Sequence, residues 1–220
     1  MEIDRLFGEI HPPQMPDIRF FTWQKPSISF GCNQNPYKRL EIERCLRDGI
    51  DIVARPTGGR EILHGYDLCC SVVWPVENRG SVVGAMDVFN RINEILKLGL
   101  EYFGIEAVHQ KISSGVKSNS GPCFAQITRG EISVDGKKII ASAQRVFEKV
   151  ILQQSSMLLQ STEIDIVKYL KMGPKSTMRT SLEDSTTFLN AYLAETFSIA
   201  QIVDVFREAF EDQIGRGVSN

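Results

Sequence analysis

Asp135-Gly136-Lys137-Lys138-Ile139-Ile140-Ala141-Ser142-Ala143-Gln144-Arg145 reads as a two-residue turn feeding a strand. Asp-Gly is a strong hairpin signal because both central positions of the turn favour positive φ. The spacing predicts a strand over Glu131 to Val134, the turn, a second strand over Lys138 to Ala143, and a third from Arg145 to Leu152. Just upstream, Ser120-Gly121-Pro122-Cys123-Phe124-Ala125 sets one cysteine in a segment that reads as loop. A thiol is a nucleophile only as thiolate, and a neighbouring ammonium favours that form. Cys123 and Lys138 together can therefore make and break an acyl thioester. Taken singly, each has a plainer reading: a small core hydrophobe and a solvated charge.

Working outward, Ile18 to Trp23 and Ile28 to Phe30 read as strands separated by Pro26. Tyr37 to Arg47 has helical spacing with Gly49 placed to end it. Ile50 to Ala54 and Ile62 to Trp74 read as paired strands flanking a turn at Thr57-Gly58-Gly59. The clearest helix is Ala85 to Phe103, whose Phe89, Ile92, Leu96, Leu100 and Phe103 share one face before Gly104. Ser113 to Gly121 is polar and reads as loop, and Met1 to Phe7 is compatible with a short helix. The remainder is helical: Ile164 to Met172 before Gly173-Pro174, then a final helix capped by Ser198. The expectation is an α+β chain whose mixed, largely antiparallel sheet is covered by helices.

With 220 residues and 42% hydrophobic content, one domain spanning 1–220 is expected. A net charge of -2 leaves no basic field that would call for nucleic acid or an anionic membrane. Five cysteines form no CxxC pattern and pair unevenly, which suits reduced thiols and no metal. No leader and no apolar run of about 18 residues is evident, so the expected location is cytoplasmic.

A second constellation is Arg55-Pro56-Thr57-Gly58-Gly59-Arg60 followed by His64. Paired glycines let backbone approach a ligand closely, with Arg55, Arg60 and His64 placing donors around the turn. Alone, Thr-Gly-Gly is also an ordinary connection. In order along the chain, Arg55, Thr57, Gly58, Gly59 and His64, then Gly136, Lys138, Ile139, Ser142 and Ala143, resemble the biotin and lipoate protein ligase catalytic domains. That resemblance implies their class II synthetase-like fold. Cys123-Phe124 ahead of the Gly-Lys-Lys-Ile strand resembles the octanoyltransferase branch of the family, although Ala141 stands where that branch commonly has glycine.

The resemblance implies transfer of an octanoyl group from octanoyl-acyl carrier protein to a lysine of a lipoyl domain. The acceptor would be a glycine cleavage H protein or a 2-oxoacid dehydrogenase acyltransferase subunit. Cys123 would carry the acyl group as a thioester, and no cofactor would be needed because the donor arrives activated. Lys138, rather than its neighbour Lys137 on the opposite strand face, would hold charge and move the proton of the incoming amine. Arg55, Thr57, Gly58, Gly59 and His64 would form one wall of the acyl pocket, and the Ile139 to Gln144 strand, with Ser142 and Ala143, the other. His64 also has a purely structural reading. Three alternatives remain at this level: an ATP-dependent ligase, an amidotransferase between lipoyl domains, and a non-catalytic acyl-binding module with Cys123 a structural thiol.

Overall fold

The computed structural model describes residues 14–76, 82–109, 131–171 and 174–214. The expected Met1–Phe7 helix, the Ser113–Gly121 loop and Cys123 lie outside these residues. Nine strands form two sheets among the described residues. The larger is six-stranded and antiparallel, ordered β1-β5-β9-β8-β7-β6, with β1 at Asp17–Phe21, β5 at Asp67–Pro75 and β6 at Val108–His109. Its β7 (Ile132–Val134), β8 (Lys137–Val146) and β9 (Val150–Leu158) follow one another around and beyond the Asp135-Gly136 turn. The smaller sheet is ordered β3-β2-β4, with β2 at Ser27–Gly31, β3 at Asp51–Arg55 and β4 at Ile62–His64.

The hairpin at Asp135-Gly136 forms as expected, with φ of 51° and 72°. One bulge follows it: Ser133 faces Lys138 while Ile132 faces Ile140. The extra residue lets both Ile139 and Ile140 enter the large core. Alternation on either side of that pair then assigns Lys138 and Ala141 to the opposite face. The third strand departs from expectation. Val146 ends β8, Phe147 to Lys149 turn, and β9 starts at Val150, with the Phe147 amide donating to the Val150 carbonyl. That turn carries no glycine, proline or asparagine, so nothing in the local sequence marks it.

The two strands around Thr57-Gly58-Gly59 do not pair with each other. β2 lies between them, parallel to β3 and antiparallel to β4. A parallel pair needs a crossover, which is supplied by α1 (Pro36–Arg39) and α2 (Ile42–Arg47). The single helix expected over Tyr37 to Arg47 is split because Leu40 is extended, fully buried and bridged to Leu170. The same bridge limits the expected Ile164–Met172 helix to one 3-10 turn, Ile166–Tyr169, capped by Asp165. Ile62 to Trp74 is likewise two strands. Gly65, at φ 121°, turns the chain out of the small sheet, and β5 begins two residues later in the large one.

Helices cover one face of the large sheet. α3 (Val82–Glu101) buries Phe89, Ile92, Ile95, Leu96 and Leu100, and stops at Gly104, whose φ is 74°. It packs on α5 (Ile199–Ile214), which buries Ile202, Phe206, Ala209 and Phe210. Gly99 permits this approach, since a Cβ there would lie 2.4 Å from the Phe206 ring. Ser198 caps α5 reciprocally with Gln201, as its Oγ accepts from the Gln201 amide and Gln201 Oε1 accepts from the Ser198 amide. The intervening α4 (Lys175–Ser185) borders the start of β8. The small sheet buries its own outer face, Ile28 with Leu40, Cys45, Ile50 and Val167, in a second core. No helix among the described residues is long and apolar enough to cross a membrane.

Candidate active site

The inner faces of the two sheets meet, and most sequence-predicted site residues gather at that seam. β2 and β4 each alternate there: Ile28 and Leu63 pack outward, whereas Ser29, Ile62 and His64 point inward. Arg55 ends β3 and folds back beneath the following turn. Its guanidinium donates to the Gly58 carbonyl (2.8 Å), the Arg60 carbonyl (2.7 Å) and Ser29 Oγ (3.0 Å). Gly59 has φ 94°, and a Cβ on it would sit 2.6 Å from an Arg55 nitrogen. Gly31 is needed for a different reason: a Cβ there would meet the Gly59 carbonyl oxygen at 2.4 Å. The turn is thus packed backbone on backbone, and the Gly58 carbonyl faces a buried cation. Thr57 is fully buried and donates to Gln154 Oε1 of β9 (2.7 Å), tying the two sheets.

His64 has both ring nitrogens engaged. Nε2 lies 2.7 Å from Ser29 Oγ and Nδ1 lies 2.6 Å from Asp67 Oδ2. Ser29 Oγ also accepts from Arg55, so the hydroxyl links the guanidinium to the imidazole. Trp23 stacks on the imidazole at 4.4 Å between centroids. Burial alone pushes the Asp67 carboxyl up. The His64 charge and hydrogen bonds from His64, Ser156 (2.6 Å) and Cys69 (3.1 Å) outweigh it and hold the group below its ordinary value. Burial, then the Asp67 charge, pushes the Cys69 thiol well up, so it is no nucleophile. His64, Asp67 and Cys69 bring their donor atoms within 4.8 Å of one another, as metal ligands would, but these atoms are already committed to one another.

Lys138 is 0 % exposed, and its Nζ lies 2.8 Å from Glu131 Oε2, itself nearly buried. Removal from water of both charges together is tolerable only as a close pair. The Lys138 carbonyl accepts from the Thr187 amide, which anchors the start of β8 to the segment after α4. Further along β8, Ala143 lies against Gly59 across the seam, and Ala141 packs on Ile62, Leu158 and Leu182. Ser142 is turned to the other side, where its hydroxyl meets Asn93 of α3 and Ser155. Arg145 closes the far end by donating to the Pro56 carbonyl.

Among the described residues, a cavity of about 20 Å³ at this seam is lined by Phe21, Ser29, Ile62, His64, Ala141 and Ala143. Another, about 390 Å³, opens beyond the edge of β4, and one of about 310 Å³ is lined by Phe21, Trp23, Asp51 and Val53. Sequence reasoning missed Asp67, Glu131, Ser29 and Gln154. Asp67 and Glu131 each left a weak signal, a carboxylate placed directly before an apolar strand run.

A model of the lipoyl protein ligase A/B catalytic domain matches residues 2–211. Octanoyltransferase LipM of Carboxydothermus hydrogenoformans is 29% identical over 203 residues, covering 90% of this chain and 74% of the relative. Octanoyltransferase LipM of Bacillus subtilis is 30% identical over 205 residues, covering 89% and 74%. Among solved structures, lipoate-protein ligase A bound with ATP superimposes with a TM-score of 0.78 at 18% identity, covering 98% of this chain and 79% of its own. A bi-partite lipoate protein ligase from Thermoplasma acidophilum gives 0.78 at 17% identity, covering 98% and 77%. The structural likeness establishes the two-sheet fold, and the family match runs through both the Thr-Gly-Gly turn and the Lys138 strand. This chain belongs to the lipoyl protein ligase A/B catalytic domain family.

Proposed function

We propose that this chain is an octanoyltransferase of lipoate biosynthesis, taking its acyl group from octanoyl-acyl carrier protein and delivering it to a lysine on a lipoyl domain. The relatives named octanoyltransferase support the activity. The single structural observation that supports the site is a wholly buried lysine, Lys138, held by Glu131 at the head of the strand that carries Ala141 and Ala143 into the seam. The acceptor is a lipoyl-domain protein such as a glycine cleavage H protein or a 2-oxoacid dehydrogenase acyltransferase subunit. The proposed location is cytoplasmic.

The chemistry needs two exchanges. Cys123 sulfur bonds to the acyl carbon as the donor's carbon–sulfur bond breaks, and the donor thiol leaves with a proton. The acceptor amine then attacks the same carbon, the bond to Cys123 breaks, an amide forms, and the cysteine thiol is restored. Thioester is exchanged for thioester and then for the more stable amide, so no nucleotide enters. Lys138 supplies positive charge to the thiolate and to the acyl oxygen, and helps remove the amine proton. Arg55, Thr57, Gly58, Gly59 and His64 hold one wall of the seam in place, and Ala143 with the Ser142 backbone forms the other.

Intact-protein mass spectrometry tests this. Octanoyl-carrier, without ATP or Mg²⁺, should add one octanoyl mass labile to hydroxylamine, and Cys123→Ala should stay unmodified. With an apo lipoyl domain present, octanoyl-amide should form. Modification by free octanoate plus ATP, and none by octanoyl-carrier, would replace this reading with a ligase.

A further inference from the structure

The cavity of about 390 Å³ lies beside the candidate catalytic strand and has no part in the two exchanges described above. Its size decides what it can hold. Small-molecule sites occupy about 300–1,000 Å³, whereas the cavity of about 20 Å³ inside the seam has room for little beyond a water, which needs roughly 10–15 Å³. The larger cavity also adjoins the reacting end of β8. Thr186 lines it and bridges to Lys138, while Ile62, Leu158 and Leu182 line it and pack on Ala141.

The walls specify the ligand's chemistry. Ile62, Leu63, Leu158, Leu182 and Phe188 make an apolar floor, and Tyr66, Gln160, Ser161 and Thr162 set hydroxyl and amide groups around it. The charge at its rim is acidic, from exposed Glu163 and Glu183, while Glu61 is buried against Arg39. Arg179 is the cation among the lining residues, and it is bound to Asp165 at 2.9 Å. The two exposed carboxylates disfavour the phosphates of a nucleotide within the cavity. An uncharged chain that alternates amides with methylene and methyl groups matches the floor and the rim alike.

We infer that this cavity receives the pantetheine arm of the acyl donor, the stretch between its thioester and its phosphate. The inference rests on the transferase reading and adds a donor subsite to it. Thioesters on an acyl carrier and on coenzyme A share this arm, so both are donors of the same chemistry.

The test compares octanoyl-pantetheine with octanoyl-N-acetylcysteamine, a truncated thioester that lacks the distal arm, by following acyl transfer to an apo lipoyl domain. Wild type should favour octanoyl-pantetheine in kcat/KM by about tenfold or more, the effect of binding energy supplied by a part of the substrate remote from the reacting bond. Gln160→Trp and Glu183→Trp, both at exposed positions lining the cavity, should abolish that preference. Both should leave the truncated donor at its wild-type rate, which also certifies their fold. Octanoyl-carrier and octanoyl-coenzyme A should fall with octanoyl-pantetheine. Equal loss on both donors, or none on either, would overturn the arm site. A wild type that uses both donors equally would overturn it while leaving the transferase reading intact, whereas a wild type that takes octanoyl from neither would sink both.

Discussion

Replacing Lys138 confounds two effects, and the structure shows how to separate them. The ammonium and the Glu131 carboxylate are 2.8 Å apart and almost wholly removed from water. Lys138→Met deletes the ammonium of this pair and leaves the Glu131 carboxylate buried, a change that costs about 3–5 kcal/mol. In a chain of this length each kcal/mol moves the melting temperature by about 2–4 °C, so a drop of roughly 6–20 °C is expected. Glu131→Gln should fall in the same direction. Combining Lys138→Met with Glu131→Leu removes both charges and fills similar volume, and should return stability to within about 1 kcal/mol of wild type. The restored protein should nevertheless remain inactive in octanoyl transfer if Lys138 acts on the reacting atoms. Calorimetry with the transfer assay on the four proteins reads both quantities. A double variant no more stable than Lys138→Met would refute the compensated pair, and one that transfers octanoyl at the wild-type rate would refute the role of Lys138.

Two further expectations follow from the His64 network and the thiols. The Asp67 carboxyl is held below its ordinary value of 3.8, so its contribution to stability is fully present above that value and is lost as pH falls through the lower folded value. Asp67→Asn should cost about 3–5 kcal/mol at neutral pH, and urea midpoints measured between neutral pH and pH 3 should fall less steeply than in wild type. Equal slopes would show that Asp67 is not the titrating group. With a soluble thiol reagent at pH 7.5, Cys32, which is exposed, should label rapidly, while Cys45, Cys69 and Cys70, all buried, should wait for unfolding. Rapid labelling of Cys69 in the folded protein would contradict its place beneath Asp67 and Trp23.

Local physics made some elements readable in advance and hid others. β1, β2, α3 and the Asp135-Gly136 hairpin were legible because each is written in its own residues: apolar runs bounded by proline, one apolar helical face, and a turn that demands positive φ. The pairing of the small sheet was not. Nothing near Arg55 or Ile62 says that β2, far upstream, will insert between their strands, because that choice is made by the second core around Leu40 and Val167. The break of α1 from α2 has the same origin, since Leu40 gives up helix for a bridge to Leu170. For the site, Arg55, Thr57, His64 and Lys138 were legible as side chains with chemistry attached, but their partners Ser29, Gln154, Asp67 and Glu131 were not. A hydrogen-bond partner is chosen by folding at long range, and an aspartate or serine in a strand carries no mark of what it will meet.

The distribution of apolar and polar contacts bears on how such a seam can admit an acyl chain while showing so little empty space. Each sheet keeps its main hydrophobic core on the face away from the other: α3 and α5 pack on the large sheet, and the helical crossover with Val167 packs on the small one. What joins the inner faces is mostly polar, through Thr57 to Gln154, Arg145 to the Pro56 carbonyl, and His64 to Asp67. The apolar cluster at the seam is small, Ile62 with Ala141, Leu158 and Leu182. Parting the sheets there exposes two small surfaces and leaves both cores intact. An eight-carbon chain entering between Ala141, Ala143 and Ile62 gains about 0.8 kcal/mol per buried methylene, roughly 5–6 kcal/mol in all. That exceeds the net worth of one or two exchanged hydrogen bonds, each about 0.5–1.5 kcal/mol. On the proposed reaction, the acyl chain itself therefore supplies the free energy that opens its pocket, and the buried hydrogen bonds of Arg55, His64 and Asp67 keep the wall of that pocket from moving with it.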